Sequence, residues 1–390
     1  MALDDPPDPD STGQTRMISP LSRFSAGARF FNGARFSGHW ATRALVAAAL
    51  ILPLGLEPAL SAEPQTAKQL FGAMTLPSRT APASFGSYAK GCLSGAVALP
   101  ADGPTWQAMR LSRNRRWGNP HMIAFLERFS RDAAEIGWGS GILLGDISQP
   151  RGGPMLTGHA SHQIGLDADI WFQPKPARPM SVAERESRPF VSMLDKTKFL
   201  TVNPDRWTPT HARLIMLAAS EPEVDRVFVN PAIKKKLCDT WTGDRTSMGK
   251  IRPIYGHDEH FHIRIKCPAD SPGCKPQAAV APGDGCDKSL AWWFTKEPWA
   301  KPKPNPNTKP VKPRFVMLSD LPQACTGVLA APASSEAAST FGGKVPVSAP
   351  ITRSMADPSS STLPSSANVP PASVGDPAVP LPTRRPGATQ

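Results

Sequence analysis

Two short stretches, each placing histidines directly before a segment of alternating apolar and polar residues, constrain the fold of this chain more than any other feature. Residues 158–171 read Gly-His-Ala-Ser-His-Gln-Ile-Gly-Leu-Asp-Ala-Asp-Ile-Trp, and residues 256–262 read Gly-His-Asp-Glu-His-Phe-His. Together they hold five of the chain's eight histidines. Side chains alternate between the two faces of a strand. We therefore predict two strands, the first of them half-buried, that meet and present their histidines and aspartates to one site.

The residue types and their spacing predict a catalytic zinc site. Such a site takes three ligands from His, Asp or Glu and leaves a fourth position for water. His162 and Asp169 are seven residues apart, so a loop that ends at the histidine and a strand that carries the aspartate can return to the same point. His262 supplies the third ligand from the second strand. The alternative is that these are hydrogen-bonded structural residues, since the His-Glu-x-x-His signature of common zinc proteases is absent.

The residues around the predicted ligands suit hydrolysis. His260 lies on the same strand face as His262 and is expected to stabilise an oxyanion, and His257 is placed in the preceding turn to transfer a proton. Glu259, three residues before the predicted ligand His262, is the alternative general base. Asp167 is expected to orient the site without binding zinc.

The N-terminal region and the cysteines indicate export. Residues 44–56 form an apolar run after Arg43 and before the small residues at 59–62, which is the pattern of a cleaved signal peptide. We predict a signal peptide over residues 1–62, with a later start codon and a membrane anchor as open alternatives, and no membrane span after cleavage. The six cysteines form no Cys-x-x-Cys pair, which favours disulfides over a thiolate metal site.

The formal net charge of +12 favours a polyanionic partner such as nucleic acid, acidic lipid or a bacterial wall polymer. Charge alone does not choose among them, but export places the chain away from nucleic acid, so we predict no nucleic-acid partner. Four arginines lie between Trp106 and Trp117. They form either a surface for an anionic polymer or an ordinary solvated turn with Trp117 packed inward.

The remaining pattern predicts an α+β fold, in which a mainly antiparallel sheet bears the zinc site and helices lie behind it, with disulfide cross-links. Residues 119–137 and 208–220 each begin with a cap residue and proline and predict the two main helices. Before the folded domain we place a lead-in over residues 63–84. The domain itself spans 85–330 and includes a proline-rich arm. Residues 331–390 are rich in Pro, Ala and Ser and predict a disordered tail.

Five segments resemble the motifs of a known family. They are residues 158–170, 226–234 (Arg-Val-Phe-Val-Asn-Pro-Ala-Ile-Lys), 260–264 (His-Phe-His-Ile-Arg), 267–271 (Cys-Pro-Ala-Asp-Ser) and 283–286 (Gly-Asp-Gly-Cys). These segments closely resemble the penicillin-insensitive murein endopeptidases, exported bacterial zinc enzymes related to lysostaphin-type and D-Ala-D-Ala metallopeptidases. The resemblance covers roughly residues 85–325. It implies a periplasmic enzyme that hydrolyses D-alanyl–diaminopimelyl cross-links between peptidoglycan strands.

The resemblance also implies roles for individual residues. Carried over onto this sequence, it makes His162, Asp169 and His262 the ligands of the catalytic zinc. His260 and His257 match active-site histidines of the family.

A second zinc is implied less completely. His159 matches one of its ligands, and the family's other ligands are an aspartate and a histidine three residues apart. Here Asp195 is followed at that spacing by Lys198, so the second zinc lacks a ligand. The resemblance implies the disulfides Cys92–Cys325, Cys238–Cys286 and Cys267–Cys274.

Two other functions stay open from the sequence. One is a D,D-carboxypeptidase or D-Ala-D-Ala dipeptidase, which would use the same metal on a different bond. The other is a non-catalytic peptidoglycan-binding protein with a structural zinc and a basic surface. The predicted partner is peptidoglycan, as cross-linked muropeptides, and a homodimer is left open.

Overall fold

The computed structural model describes residues 65–300 and 315–342. The predicted signal peptide (1–62), part of the proline-rich arm (301–314) and most of the predicted tail (343–390) lie outside the described residues. No helix within the described ranges is long and apolar enough to cross a membrane. The described strands are β1 (Ala83–Ser87), β2 (Lys90–Ser94), β3 (Val97–Ala98), β4 (Trp106–Ala108), β5 (Trp117–Gly118), β6 (Ile142–Leu144), β7 (Asp167–Pro174), β8 (Val224–Val229), β9 (Ile251–Pro253) and β10 (His260–Ile265). The described α-helices are α1 (Ala67–Gly72), α2 (Pro120–Glu135), α3 (Val182–Ser187), α4 (Pro209–Ser220), α5 (Pro231–Thr240), α6 (Lys288–Trp292), α7 (Ala324–Ala330) and α8 (Glu336–Ser339).

A six-stranded sheet in the order β4-β6-β7-β10-β8-β9 forms the centre of the α+β domain. β7 and β10 pair antiparallel at its middle, as do β6 with β7 and β10 with β8. The outer pairs, β4 with β6 and β8 with β9, are parallel. The sheet is therefore mixed, which corrects the prediction of a mainly antiparallel sheet. Parallel neighbours need a crossover connection, which α2 and α5 provide, and the period-two pattern of a strand holds no information on its direction.

The helices predicted over residues 119–137 and 208–220 are confirmed as α2 and α4. Asn119 caps α2, because its side-chain oxygen accepts a hydrogen bond from the His121 N–H at 3.1 Å. The helix buries an apolar stripe at helical spacing: Met122, Phe125, Leu126, Phe129 and Ala133. Phe129 meets Phe261 of β10 edge to face, with ring centroids 6.5 Å apart. The packing of α2 therefore fixes the apolar face of the strand that carries His260 and His262.

β7 is buried on both faces, whereas its alternating pattern predicts a half-buried strand. On the face away from the helices Asp167 is 0% exposed, Asp169 4% and Trp171 2%. Trp171 is covered by the Phe190 ring, with centroids 4.2 Å apart, and by the Arg110 guanidinium at 5.3 Å. The correction matters for the site, because a buried carboxylate is stable only with partners.

Three disulfides connect distant parts of the domain in the pairing that the resemblance implies. Cys92–Cys325, Cys238–Cys286 and Cys267–Cys274 each have Cα atoms 5.7 Å apart. The first joins β2 to α7 across 233 residues of sequence and brings residues 315–342 beside α1, where Phe71 and Val328 are buried together. α1 lies inside the predicted lead-in, and Phe341 of the predicted tail is 6% exposed, so both flanking segments contribute packed residues.

Candidate metal centre

The pairing of β7 with β10 brings the predicted ligands to one face of the sheet. His262 is directly opposite Asp169 in the register, and His262 Nδ1 lies 3.5 Å from Asp169 Oδ1. His159 and His162 lie on the loop that precedes β7. The atoms of His159, His162 and Asp169 that could bind a metal all lie within 4.8 Å of one another. Three imidazoles thus surround one carboxylate.

Hydrogen bonds hold both the main chain and the ring of His162. Its φ of +65° is uncommon for a residue other than glycine, and its N–H donates to Asp167 Oδ2 at 3.0 Å. Nδ1 lies 2.7 Å from the Ile147 carbonyl oxygen. A carbonyl can only accept, so Nδ1 carries a proton and Nε2 is the nitrogen that faces Asp169, where a bound metal would take the place of a proton. Burial alone would lower the pKa of His162, but the Asp169 carboxylate raises it to about 9.

The atoms at the centre of the cluster fit a zinc ion. His162 Nε2 and Asp169 Oδ1 are buried and have no hydrogen-bond partner among the described residues. They lie 3.3 Å apart, and His262 Nδ1 lies 3.5 Å from the same oxygen. Two ligands on a tetrahedral zinc at about 2.1 Å are separated by about 3.4 Å, so both spacings match a pair of zinc ligands. A divalent cation would also satisfy the two polar atoms, which are otherwise costly to bury.

Asp167 orients the second histidine. Its Oδ1 accepts hydrogen bonds from His262 Nε2 at 2.8 Å and from Arg264 Nε at 2.7 Å, so His262 presents the lone pair of Nδ1 to the cluster. The Arg264 guanidinium lies between the rings of Tyr88 and Phe228, at 4.2 Å and 5.0 Å from their centroids. Burial alone would raise the pKa of Asp167, but Arg264 and His262 hold it well below its usual range. The carboxylate is therefore charged and keeps His262 in one tautomer.

His260 and His257 lie on the accessible side of the cluster. His260 keeps 23% of its side chain exposed, and its Nε2 is 3.7 Å from Asp169 Oδ1. His257 donates from Nδ1 to the Tyr255 carbonyl at 2.8 Å, and its ring centroid is 5.0 Å from that of His260. Burial lowers the pKa of both imidazoles, that of His257 to about 3. Both rings are therefore neutral at neutral pH, each with one N–H donor and one nitrogen lone pair.

Glu259 lies directly before β10, and its charged neighbours lie outside the cluster of imidazoles. Its carbonyl accepts a hydrogen bond from the Phe172 N–H at 3.2 Å. Burial and then Asp258 raise the pKa of its carboxyl group, and Lys196 opposes them. The charged groups around Glu259 are thus Asp258 and Lys196 rather than the clustered imidazoles.

Asp146 is a residue of this site that the sequence did not reveal. Its side chain is 3% exposed, and its Oδ2 accepts hydrogen bonds from Arg113 Nη1 at 3.1 Å and Arg115 Nη1 at 2.9 Å. The same oxygen lies 2.9 Å from His159 Nε2, which is also 3.5 Å from Asp169 Oδ2. Burial would raise the pKa of Asp146, but His159 and the two arginines hold it well below its usual range. Trp117 packs inward at 1% exposed, as the second alternative expects, but Arg113 and Arg115 form ion pairs with Asp146 and do not form an open basic surface.

Asp195, the aspartate expected at a second zinc, is engaged within its own loop. Its Oδ1 accepts from the Thr197 N–H at 3.0 Å and from the Thr197 hydroxyl at 2.6 Å, and Lys198 Nζ lies 3.2 Å from its Oδ2. His159 instead contacts Asp146. Within the described part of the chain, the residues expected at a second metal are not brought together.

Comparison with known proteins identifies the chain's relatives. A family model described as penicillin-insensitive murein endopeptidase matches residues 84–330. A protein of that name from Haemophilus influenzae is 46% identical over 240 residues, which cover 61% of this chain and 80% of the relative. A namesake from Yersinia enterocolitica is 37% identical over 282 residues, covering 72% of this chain and 96% of the relative. A third, from Salmonella paratyphi B, is 41% identical over 240 residues, covering 62% and 86%.

These matches place the chain among the peptidases, together with the α+β scaffold and the buried cluster of imidazoles and carboxylate. The matched region includes both histidine stretches and all six cysteines. The chain belongs to the penicillin-insensitive murein endopeptidase family, which confirms the resemblance carried by the five sequence segments.

Proposed function

We propose that the chain is an exported, zinc-dependent murein D,D-endopeptidase that hydrolyses the D-alanyl–diaminopimelyl cross-links of peptidoglycan. Family membership and the printed names of the relatives support murein as the substrate. The observation that carries the metal is the buried pair of His162 Nε2 and Asp169 Oδ1, which have no hydrogen-bond partner among the described residues. Export follows from the substrate, since murein lies outside the cytoplasm.

In this proposal His162, Asp169 and His262 hold the zinc ion. Bound there, zinc would polarise the substrate carbonyl and lower the pKa of a water molecule to about 7. The side chains of His162 and His262 are 0% and 5% exposed, whereas His159 and His260 keep 21% and 23% exposed. The substrate therefore approaches from the side of His159 and His260.

The two outer histidines supply proton transfer and hydrogen bonding. A neutral His260 ring can donate to the oxygen that becomes negative when the D-alanyl carbonyl is attacked. His257 donates from Nδ1 to the Tyr255 carbonyl, so its Nε2 holds a lone pair that can accept a proton and pass it to the leaving amine. Glu259 remains the alternative base.

The test uses purified protein and cross-linked muropeptide dimers, with products identified by mass spectrometry. We expect release of monomers that a chelator abolishes and added zinc restores. His262→Ala should lose turnover and bound zinc, whereas the control His121→Ala should keep both, because His121 lies outside the cluster and pairs with Asp270. No release of monomers, or release unaffected by the chelator, would refute the proposal. Faster cleavage of pentapeptides than of dimers would favour the carboxypeptidase.

A further inference from the structure

A group of aromatic side chains lies at the surface beside the candidate metal centre. We call Phe199, Tyr255, Trp293 and Trp299 the outer aromatic cluster. Phe199 meets Trp299 edge to face with ring centroids 5.8 Å apart, and Tyr255 meets Trp293 and Trp299 at 4.8 Å and 5.1 Å. Phe199 is 62% exposed, and Tyr255 and Trp299 are each 38% exposed. Three of the five exposed aromatic residues in the described ranges thus form one contiguous patch, which marks a binding surface rather than scattered apolar residues.

The loop that carries Phe199 has a strained backbone. Leu200, the next residue, has a φ of +40°, in a region that bulky residues rarely adopt. The loop is closed by the Asp195 N–H, which donates to the Thr201 carbonyl at 2.9 Å, and by the Asp195–Lys198 ion pair. A strained backbone that keeps a large apolar ring in solvent is the kind of feature found where a protein binds something.

The outer aromatic cluster is connected to the candidate metal centre. The Tyr255 carbonyl accepts the hydrogen bond from His257 Nδ1, so one end of the cluster is two residues from a histidine of the site. Lys196 pairs with Asp258 at 2.6 Å and keeps 64% of its side chain exposed, and Lys198 keeps 66%. Each lysine is paired with an aspartate, so the patch offers aromatic faces at the edge of the site without a net positive charge.

We propose that the outer aromatic cluster binds the glycan strand of peptidoglycan while the metal centre acts on the attached peptide. This proposal rests on the proposed function. The electron-rich faces of aromatic rings attract the C–H groups of sugar rings, and ring faces at several angles suit a chain of successive sugars. The hydrogen bond from His257 to the Tyr255 carbonyl places this surface next to the groups that would act on the peptide attached to the strand. The surface would hold an insoluble polymer close to the site without taking part in the chemistry.

The experiment compares binding to intact sacculi with cleavage of peptide-only cross-linked dimers that have been stripped of their sugars. We expect Phe199→Ala to weaken co-sedimentation with sacculi about tenfold, the loss of one well-packed aromatic contact, and to leave kcat/KM on peptide-only dimers unchanged. Phe199→Trp should retain binding. Phe315→Ala is the matched control, because Phe315 is 58% exposed elsewhere on the surface. An oligomer of N-acetylglucosamine should compete with sacculi for the wild type and not for Phe199→Ala.

Each failure points to one cause. Equal binding of the wild type and Phe199→Ala, or no competition by the sugar oligomer, overturns the glycan surface. A change of molecular mass on Phe199→Ala substitution, measured by sedimentation, would instead make the patch an interface between copies of the chain and also overturns it. If the wild type binds sacculi through Phe199 but cuts neither kind of dimer, the proposed function fails while the binding surface stands.

Discussion

Asp167→Asn is the substitution that tests most directly how the metal centre is organised. The carboxylate accepts four hydrogen bonds: Oδ2 from the His162 N–H and Arg264 Nη2, and Oδ1 from His262 Nε2 and Arg264 Nε. Asparagine has the same shape but only one accepting oxygen. Whichever way its amide is oriented, an NH₂ group faces at least one of these donors. If it faces His262, the imidazole gains a favourable bond by moving its proton to Nδ1, the atom directed at Asp169.

The expected magnitude has two parts. A substitution next to a metal ligand that disturbs its orientation typically weakens metal binding 10- to 100-fold, or about 1.4 to 2.7 kcal/mol. Asp167→Asn also leaves the buried Arg264 guanidinium without its counter-charge, and breaking a buried ion pair from one side costs about 3 to 5 kcal/mol. Since a domain is stable by only about 5 to 15 kcal/mol, the second effect should lower the melting temperature even in metal-free protein.

The assay measures zinc affinity by competition with a chromogenic chelator and stability by urea unfolding of the metal-free protein. Asp239→Asn is the control, because Asp239 pairs with Lys235 on the exposed surface of α5 and such pairs contribute little. In the double variant Asp167→Asn with Arg264→Met no guanidinium is left unpaired, so it should be less destabilised than the sum of the two single variants. Wild-type zinc affinity and wild-type stability in Asp167→Asn would refute the role assigned to this carboxylate.

Three further outcomes follow from buried groups. Asp146→Asn should lower the free energy of unfolding by about 2 to 3 kcal/mol, because the carboxylate is buried among three donors; an unchanged urea midpoint would contradict this. Burial lowers the pKa of Lys234 from 10.5 to about 8. The free energy of unfolding should therefore rise by about 3 kcal/mol between pH 8 and 10.5. Lys234→Met should remove that rise, whereas the exposed control Lys235→Met should keep it. Replacing Cys92 and Cys325 by alanine should destabilise the fold by about 5 kcal/mol, against about 2 kcal/mol for the short Cys267–Cys274 loop; equal losses in thermal unfolding would be inconsistent with an entropic effect.

The sign of the lysine effect follows from which state keeps the proton. Below pH 8 the Lys234 ammonium is charged in both states, and the folded state bears the full desolvation penalty. Between the two pKa values the unfolded chain holds more protons than the folded one, so the free energy of unfolding increases with pH. Above the unfolded pKa the penalty is gone. A flat profile in the wild type would show that the carbonyls of Met248 and Asp284, which accept from Nζ at 2.7 Å and 2.6 Å, compensate the burial in full.

The sequence predicts the convergence of the histidines because a strand's period of two fixes which residues share a face. That rule places His260 with His262 and Asp167 with Asp169, and the two stretches then need only to pair. The direction of the outer strands follows no such rule, which is why the sheet proved mixed. A run such as Lys234, Lys235 and Lys236 similarly predicts a basic helix, yet Lys234 is 0% exposed. The partners that permit its burial are main-chain carbonyls, which every sequence has.

Asp146 was missed for a related reason. Its partners are Arg113 and Arg115, more than thirty residues earlier, and His159 in a later loop. Nothing in the spacing of these four residues distinguishes them from exposed charges. The parallel pairing of β4 with β6 brings the loop after β4 beside the end of β6, and the strand directions that produce this pairing could not be read from the sequence.

The two imidazoles proposed as zinc ligands differ in how their tautomers are fixed, and this predicts a difference in their sensitivity to mutation. His162 donates to the main-chain carbonyl of Ile147, an acceptor that no side-chain substitution removes. His262 donates to the Asp167 side chain, whose charge depends in turn on Arg264. Substitutions around the site should therefore disturb the ligand on β10 well before the ligand on the loop. In metal-free protein, substitution of Arg264 should shift the NMR signals of the His262 ring more than those of the His162 ring, and equal shifts of both rings would contradict this asymmetry.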